Sequence, residues 1–382
     1  MYRIGDYWKM MADHVRRDAY AEALRRAVKP GAVVANIGAG TGIFALLACR
    51  FGAARVYAIE NDDIIELAKD LAAENGFGDR IEFIKAISTD VTLPEPADVV
   101  VSDLRGVLPL LGQHLPSIID ARQRLLARGG SLIPMRDTLW AGLVDVPDLY
   151  RHLVEPWGQN PYGFDFDGAR MLSANRWSKV RVTPDQMLAE PQSWTTLKYD
   201  MTETVNAQGS LSWVVGRPGT AHGVCVWFES TLVDGVSLSA APGHPELVYG
   251  SGFFPWSHPV PVARGDVVAV EISADLVGAE YVWSWGSRVH EGGSGGTLKA
   301  EFHQSSFFAS PISKAELRRG SPHSVPTLND DGYVDHAILS LMAEGLDLGG
   351  IAKKISERFS ARFQGQQDAL RRVQQLARRY DT

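Results

Sequence analysis

Along the first third of the chain, apolar residues fall into short continuous runs separated by stretches with helical spacing. Residues 32–37, AVVANI, are small and β-branched and predict a buried strand; glycines 38, 40 and 42 then break the chain, and the apolar run from Phe44 to Cys49 predicts a helix. The alternation repeats. Val56 to Glu60 predicts a second strand, Ile64 to Asn75 a helix stopped by Gly76, Ile81 to Ile84 a third strand and Ala97 to Val101 a fourth. Ahead of these, Tyr7, Trp8, Met11, Val15, Tyr20 and Leu24 recur at roughly helical spacing and predict a helical cap over residues 1–29. Strands alternating with helices predict an α/β fold with a doubly wound, mostly parallel sheet, whose ligands sit beyond the carboxyl ends of its strands.

The period changes after Pro134, where SLIP closes the last sheet strand. From Thr138 on, segments such as TLWAGLVDV, HGVCVWFEST, DVVAVEISADL and EYVWSWGSRV alternate apolar with polar residues between Gly and Pro turns, which predicts the antiparallel strands of a β-barrel or sandwich. Between them, EPWGQNPYGFDFD (Glu155 to Asp167) reads as a Gly/Pro loop with aromatic anchors. Pro- and Gly-rich residues 311–332 predict a linker. Beyond it, Ile338, Leu341 and Met342, then Ile351, Ile355 and Phe359, then Leu370, Val373 and Leu376 mark three short amphipathic helices. The expected domains are residues 1–134, 135–310 and, after the linker, 333–382.

At 382 residues and 45% hydrophobic content the chain has room for several ordinary cores. A formal charge of −7 argues against nucleic acid as a partner of the whole surface, although Lys353, Lys354, Arg358, Arg371, Arg372, Arg378 and Arg379 make the last helices locally basic. The longest apolar runs fall short of a membrane span and MYRIGDYWKMM lacks a signal core, so no membrane partner is expected and the expected location is cytoplasmic. Cys49 and Cys225 are the two cysteines and read as buried hydrophobes; no zinc spacing is present and no metal is expected.

The glycine turn carries the chemistry. Bare backbone at Gly38, Gly40 and Gly42 admits a ligand close to the turn and to the unpaired N–H groups of the following helix, while Glu60, about 20 residues on, stands where a nucleoside ribose would be held. The loop is shorter than a pyrophosphate-binding pattern, which favours an adenosyl ligand over a dinucleotide. GAGTG after a strand, followed by this acidic residue, resembles the S-adenosylmethionine methyltransferases. MMADHVRRDAY (Met10 to Tyr20) further resembles the signature preceding the cofactor loop in protein arginine methyltransferases.

Over residues 7–302 the resemblance implies a Rossmann-like methyltransferase sheet joined to a β-barrel, with S-adenosyl-L-methionine as cofactor. It implies that Arg16 pairs with the cofactor carboxylate, that Met10 lies against the ligand, that Gly38, Gly40, Thr41, Glu60 and Asn61 line the cofactor site, and that Ser88 and Thr89 meet the adenine. The segment from Glu155 resembles that family's dimerisation arm, implying a homodimer. DHAILSLMAEGLDLGGIAKKISERF loosely resembles small winged-helix-like modules of the PqqD type; a plain helical bundle is the alternative.

The chain departs from the family at the acceptor loop. Where the family carries two glutamates that clamp a guanidinium, the match places Asp103 and Gly112, and Arg105 adds a cation within SDLRG. The barrel's Thr-His-Trp motif is replaced by VYGSGFFPW. Two roles are open for the loop: Arg105 binds an anionic or carbonyl acceptor while Asp103 orients or deprotonates it, or the two residues pair with each other and shape the loop. His244, His258 and Tyr249 are candidate groups facing the cofactor from the barrel, with Tyr249 and His258 as candidate substrate contacts. The sequence-level expectation is methyl transfer to a non-arginine small molecule or modified peptide. An arginine methyltransferase with a redistributed clamp and a non-catalytic cofactor-binding protein are the alternatives.

Overall fold

Strand β1 (Val33–Ile37) lies at the centre of a five-stranded parallel sheet. With β2 (Arg55–Glu60), β3 (Ile81–Lys85), β4 (Ala97–Ser102) and β5 (Leu126–Ile133), the order is β3-β2-β1-β4-β5. The computed structural model describes residues 4–380 except 160, 293–294, 312, 314–317 and 320. Residues 34–37 are buried because helices cover both faces of the sheet, which is why β1 reads as a continuous apolar run. The chain leaves β1 for β2 on one side and returns to β4 on the other. This reversal opens a crevice beyond the carboxyl ends of β1, β2 and β4, the place where doubly wound sheets take ligands.

The predicted cap is two helices, α1 (Ile4–Ala12) and α2 (His14–Ala27), divided at Asp13. Its carboxylate explains the break: one oxygen accepts from the Arg16 N–H at 2.9 Å and caps α2, and the other accepts from the Val248 N–H at 2.6 Å. The cap is thereby tied to the second half of the chain. Helix α3 (Ile43–Arg50) follows the glycine turn, and α4 (Ile64–Glu74) and α5 (His114–Arg124) complete the wound layer.

The region expected to form a barrel consists of two antiparallel sheets. Strands β6 (Arg136–Val144), β7 (Ser178–Val180), β8 (Gln192–Lys198), β10 (Gly219–Val233) and β12 (Ser251–Val262) form the path β7-β12-β10-β6-β8, with β11 (Val236–Ser239) beside β10. Strands β9 (Ala207–Val214), β13 (Val267–Val277), β14 (Glu280–His290) and β15 (Leu298–Ser305) form the second sheet, β15-β14-β13-β9. Their inward positions supply a tryptophan-rich core. The Phe254 ring lies 5.2 Å from those of Trp283 and Trp285, and the Trp256 and Trp285 indoles donate to Ser287 Oγ and the Pro255 carbonyl. Cys49 and Cys225 are buried and unpaired with each other.

Between β6 and β7 the chain forms α6 (Pro147–Leu153), short turns and α7 (Asp167–Ala174). Here Trp157, Tyr162 and Phe164 are exposed, Tyr162 almost completely and with φ of 59°. The chain forms two compact units, Met1–Pro311 and Ile312–Thr382. The second unit holds α8 (Asp330–Ala343), α9 (Leu348–Arg358) and α10 (Gln366–Tyr380) around Ile338, Ile351, Ile355 and Val373. Helix α8 starts three residues before the expected boundary because the Asn329 side chain accepts from the Gly332 N–H at 2.8 Å. Among the described residues no helix is long and apolar enough to cross a membrane.

Candidate functional site

A cavity of about 850 Å³ occupies the crevice at the sheet's switch point. Its floor is the turn after β1. Gly38, Gly40 and Gly42 have φ of 68°, 52° and 82°, in the left-handed region that side-chain-bearing residues avoid. Space is equally restrictive: a Cβ on Gly38 would collide with Leu104, and one on Gly40 would lie 3.0 Å from the Tyr7 ring. Helix α1 therefore closes over the turn through Tyr7. Glu60, at the end of β2, accepts from the Gly40 N–H at 2.9 Å and from the Asp62 N–H at 3.0 Å. Each of its oxygens keeps a lone pair for a ligand hydroxyl, so one carboxylate both fixes the loop and offers acceptors at the cavity wall.

The opposite wall is a network of side chains. Asp103, just past β4, takes Arg16 Nε on Oδ2 at 2.6 Å, the Tyr249 hydroxyl on the same oxygen at 2.7 Å, and Arg105 Nε on Oδ1 at 3.2 Å. Arg105 borders the cavity but directs its donors into the protein. Its guanidinium is fully buried, donates to Asp137 Oδ1 and Ser230 Oγ, both at 2.7 Å, and to the Tyr20 hydroxyl. Phe228, Tyr249 and Tyr20 surround it, with ring centroids 5.1, 5.5 and 5.8 Å from its carbon, a desolvated cation held by aromatic faces and a carboxylate. The far oxygen of Asp137 accepts from the Tyr199 hydroxyl at 2.6 Å, and His114 Nε2 lies 3.0 Å from that hydroxyl. Because Tyr199 gives its only proton to Asp137, His114 must donate through Nε2–H. Its Nδ1 is then a buried acceptor with no partner among the described residues.

Burial sets the ionisation of this network against its charge pairs. Burial raises Asp103, but Arg16 and Arg105 outweigh it and hold the carboxyl below its ordinary range. Asp103 is therefore a charged, weakly basic acceptor. Burial pushes Asp137 up against the pull of Arg105. It also pushes His114 down to about 3, with Arg105 adding to the effect, so the imidazole is neutral.

Of the sequence-predicted residues, the cavity brings together Met10, Arg16, Gly38, Gly40, Thr41, Glu60, Asn61, Asp103, Arg105 and Tyr249. Ser88 and Thr89 lie outside its lining, in a short turn whose carbonyls accept from Arg124. His258 is exposed on β12, with its ring 4.9 Å from that of Phe302, and neither it nor His244 lines the cavity. Of the two roles open for this loop, the structure shows the pairing: Asp103 binds Arg105, and Asp137 adds a second carboxylate. Gly112 sits outside the lining, with φ of 46° and its nearest neighbour in the β13–β14 turn. Sequence reasoning missed Asp137, Tyr199, Ser230 and His114. It used Tyr20 only as a spacing residue, and it did not single out Lys179, which lines the cavity from β7.

The Trypanosoma brucei PRMT1 enzyme-prozyme heterotetrameric complex with AdoHcy superposes with a TM-score of 0.72 at 18% identity, covering 79% of this chain and 98% of that one. Arabidopsis thaliana protein arginine methyltransferase 10 gives 0.68 at 21% identity, over 78% and 96%. In sequence, residues 17–134 match the family described as ribosomal protein L11 methyltransferase (PrmA). A probable protein arginine N-methyltransferase 6 of Arabidopsis thaliana is 29% identical over 65% of this chain, which spans only 59% of that relative's length. An arginine N(omega)-methyltransferase of Streptomyces achromogenes is 29% identical over 70% of this chain and 75% of its own. The protein arginine N-methyltransferase 6 of Danio rerio is 31% identical over 69% of this chain and 80% of its own. Sheet, switch-point cavity and sequence agree, and the chain belongs to the protein arginine N-methyltransferase family.

Proposed function

We propose that the protein is an S-adenosylmethionine-dependent methyltransferase whose acceptor is a guanidino nitrogen. The observation that carries the acceptor assignment is the charge balance of the second wall: two guanidinium groups, Arg16 and Arg105, face two carboxylates, Asp103 and Asp137. A buried cation so matched projects little field into the cavity, which removes the electrostatic objection to a cationic acceptor. Family membership then favours arginine chemistry.

The residues take these roles. The glycine turn lets the cofactor approach the backbone, and Glu60 accepts from its ribose hydroxyls. Arg16 Nη1, whose one hydrogen bond among the described residues is a long 3.4 Å bond to the Met10 carbonyl, is the donor left for the cofactor carboxylate. When bound, the cofactor supplies a sulfonium methyl group, and the sulfur keeps the electrons of the broken S–C bond as the acceptor nitrogen bonds to carbon. Asp103 and Tyr249 orient the acceptor N–H, whose proton passes to water. Alignment of the two reactants supplies most of the acceleration.

A non-arginine acceptor is the second reading, and the specific observation favouring it is that Asp103 is the one carboxylate of the acceptor loop in the cavity, with Gly112 where a second would stand. Mass spectrometry after incubation with methyl-labelled cofactor separates the readings. The first predicts methylated guanidino products from arginine or arginine peptides; label found only on other acceptors from a cell extract would replace it with the second. We further propose a homodimer built through residues 155–170, supported by the exposed Trp157, Tyr162 and Phe164. Sedimentation of the native protein should give a dimer and deletion of residues 159–168 a monomer; a native monomer at micromolar concentration would refute it.

A further inference from the structure

Among the described residues, one cation of the cavity has no counter-charge. Lys9 pairs with Asp6, Lys85 with Asp63, and Arg16 and Arg105 with Asp103. Lys179 has no carboxylate partner among the described residues: its Nζ donates to the Val248 carbonyl at 2.5 Å, and its stem packs on Gly250. An ammonium has three donors, and this contact uses one. Partial burial and the nearby Arg181 and Lys9 depress Lys179, the response of a charge in a site that would welcome an anion.

Its place relative to Asp103 defines the ligand. Val248 and Tyr249 are consecutive: Lys179 holds the carbonyl at the backbone end of Tyr249, while the phenol at the other end reaches Asp103 at 2.7 Å. Ammonium and carboxylate thus stand at opposite ends of Tyr249, and both line the same cavity. An arginine likewise carries its guanidino group and its α-carboxylate at opposite ends, with the opposite order of charge.

Resting on the guanidino reading above, we infer that Lys179 is a specificity-determining residue that binds the α-carboxylate of the acceptor, which is free arginine or a chain ending in arginine. An internal arginine of a protein has an amide at that position and leaves the ammonium unmatched. The acceptor would then be chosen at both ends, by Asp103 and Tyr249 at the nitrogen and by Lys179 at the carboxylate.

Steady-state kinetics of the full chain with L-arginine, L-argininamide and the dipeptide Gly-Arg, at saturating cofactor, test this. Native enzyme should show a KM for argininamide about tenfold above that for arginine, the scale of one partly exposed charge-assisted hydrogen bond. Lys179→Met should raise the arginine KM by about the same factor with kcat within about twofold, and leave argininamide unchanged; Lys179→Arg should restore most of the loss. Equal use of Gly-Arg would assign a chain terminus as acceptor, and preference for arginine would assign the free amino acid. Arginine and argininamide used alike by the native enzyme, or both slowed alike by Lys179→Met, would overturn the inference while leaving guanidino methylation standing. Methylation of none of the three would overturn the guanidino reading itself, and this inference with it.

Discussion

The two walls of the cavity are built from different materials. The wall after β1 is backbone: a five-residue turn whose glycines have positive φ, braced by one carboxylate that accepts two N–H groups. The opposite wall is side chains from α2, the loop after β4, β6, β10 and the segment before β12, joined by charge in a dry interior. A backbone site is specified by residues adjacent in sequence and tolerates drift elsewhere. A buried ionic network requires every member at once, because removing one partner strands the other without water.

The difference can be broken at its strongest point first. Asp137→Ala should destabilise the protein by about 3–5 kcal/mol, seen as a lowered denaturant midpoint, because it leaves the Arg105 guanidinium buried with half its charge pairing gone. A midpoint unchanged from the native protein would mean that the network is slack. On the other wall, Gly38→Ala forces a side chain into a left-handed conformation and against Leu104, a strain of about 1–3 kcal/mol. It should weaken S-adenosylhomocysteine binding more than it lowers stability, as calorimetry would register.

A smaller effect should appear with pH. His114 is held neutral down to about 3, well below its ordinary value near 6.5, so the unfolded chain binds a proton that the folded one refuses. Its contribution is complete above the unfolded value and is lost as pH falls toward 3, with a slope approaching about 1.4 kcal/mol per pH unit. Asp103, also depressed, loses stability in the same direction at lower pH. Urea titrations between pH 4 and 6 should show a shallower slope for His114→Gln than for the native protein, and parallel slopes would contradict the assignment. The smallest effect belongs to Thr89, which the cavity excludes: Thr89→Ala should change cofactor affinity by less than about twofold. A larger loss would place the adenine beside it.

This contrast also explains what the sequence makes legible. The strand, glycine turn and Glu60 declare themselves through period and spacing, since the backbone they require is local. Arg16 and Asp103 were reachable through family resemblance. Their partners were not, because Tyr20, Asp137, Tyr199 and Ser230 are distant in sequence and ordinary in type. One signal was available: Asp137 shares the inward face of β6 with Leu139, Ala141 and Leu143, and a carboxylate at a core position demands a cation. Ser88 and Thr89 lie outside the cavity lining, and of the two roles left open for Arg105 the structure shows the pairing with Asp103, while its second counter-ion, Asp137, was out of reach of local spacing.

Calorimetric titration of S-adenosylhomocysteine into the native protein and into Glu60→Ala tests the central claim most directly, that the turn after β1 and the carboxylate ending β2 form a cofactor site. The account predicts one binding event per chain for the native protein and a strongly weakened one for Glu60→Ala, which removes both the loop brace and the ribose acceptor. A native protein that releases no heat and shows no binding by equilibrium dialysis would contradict it.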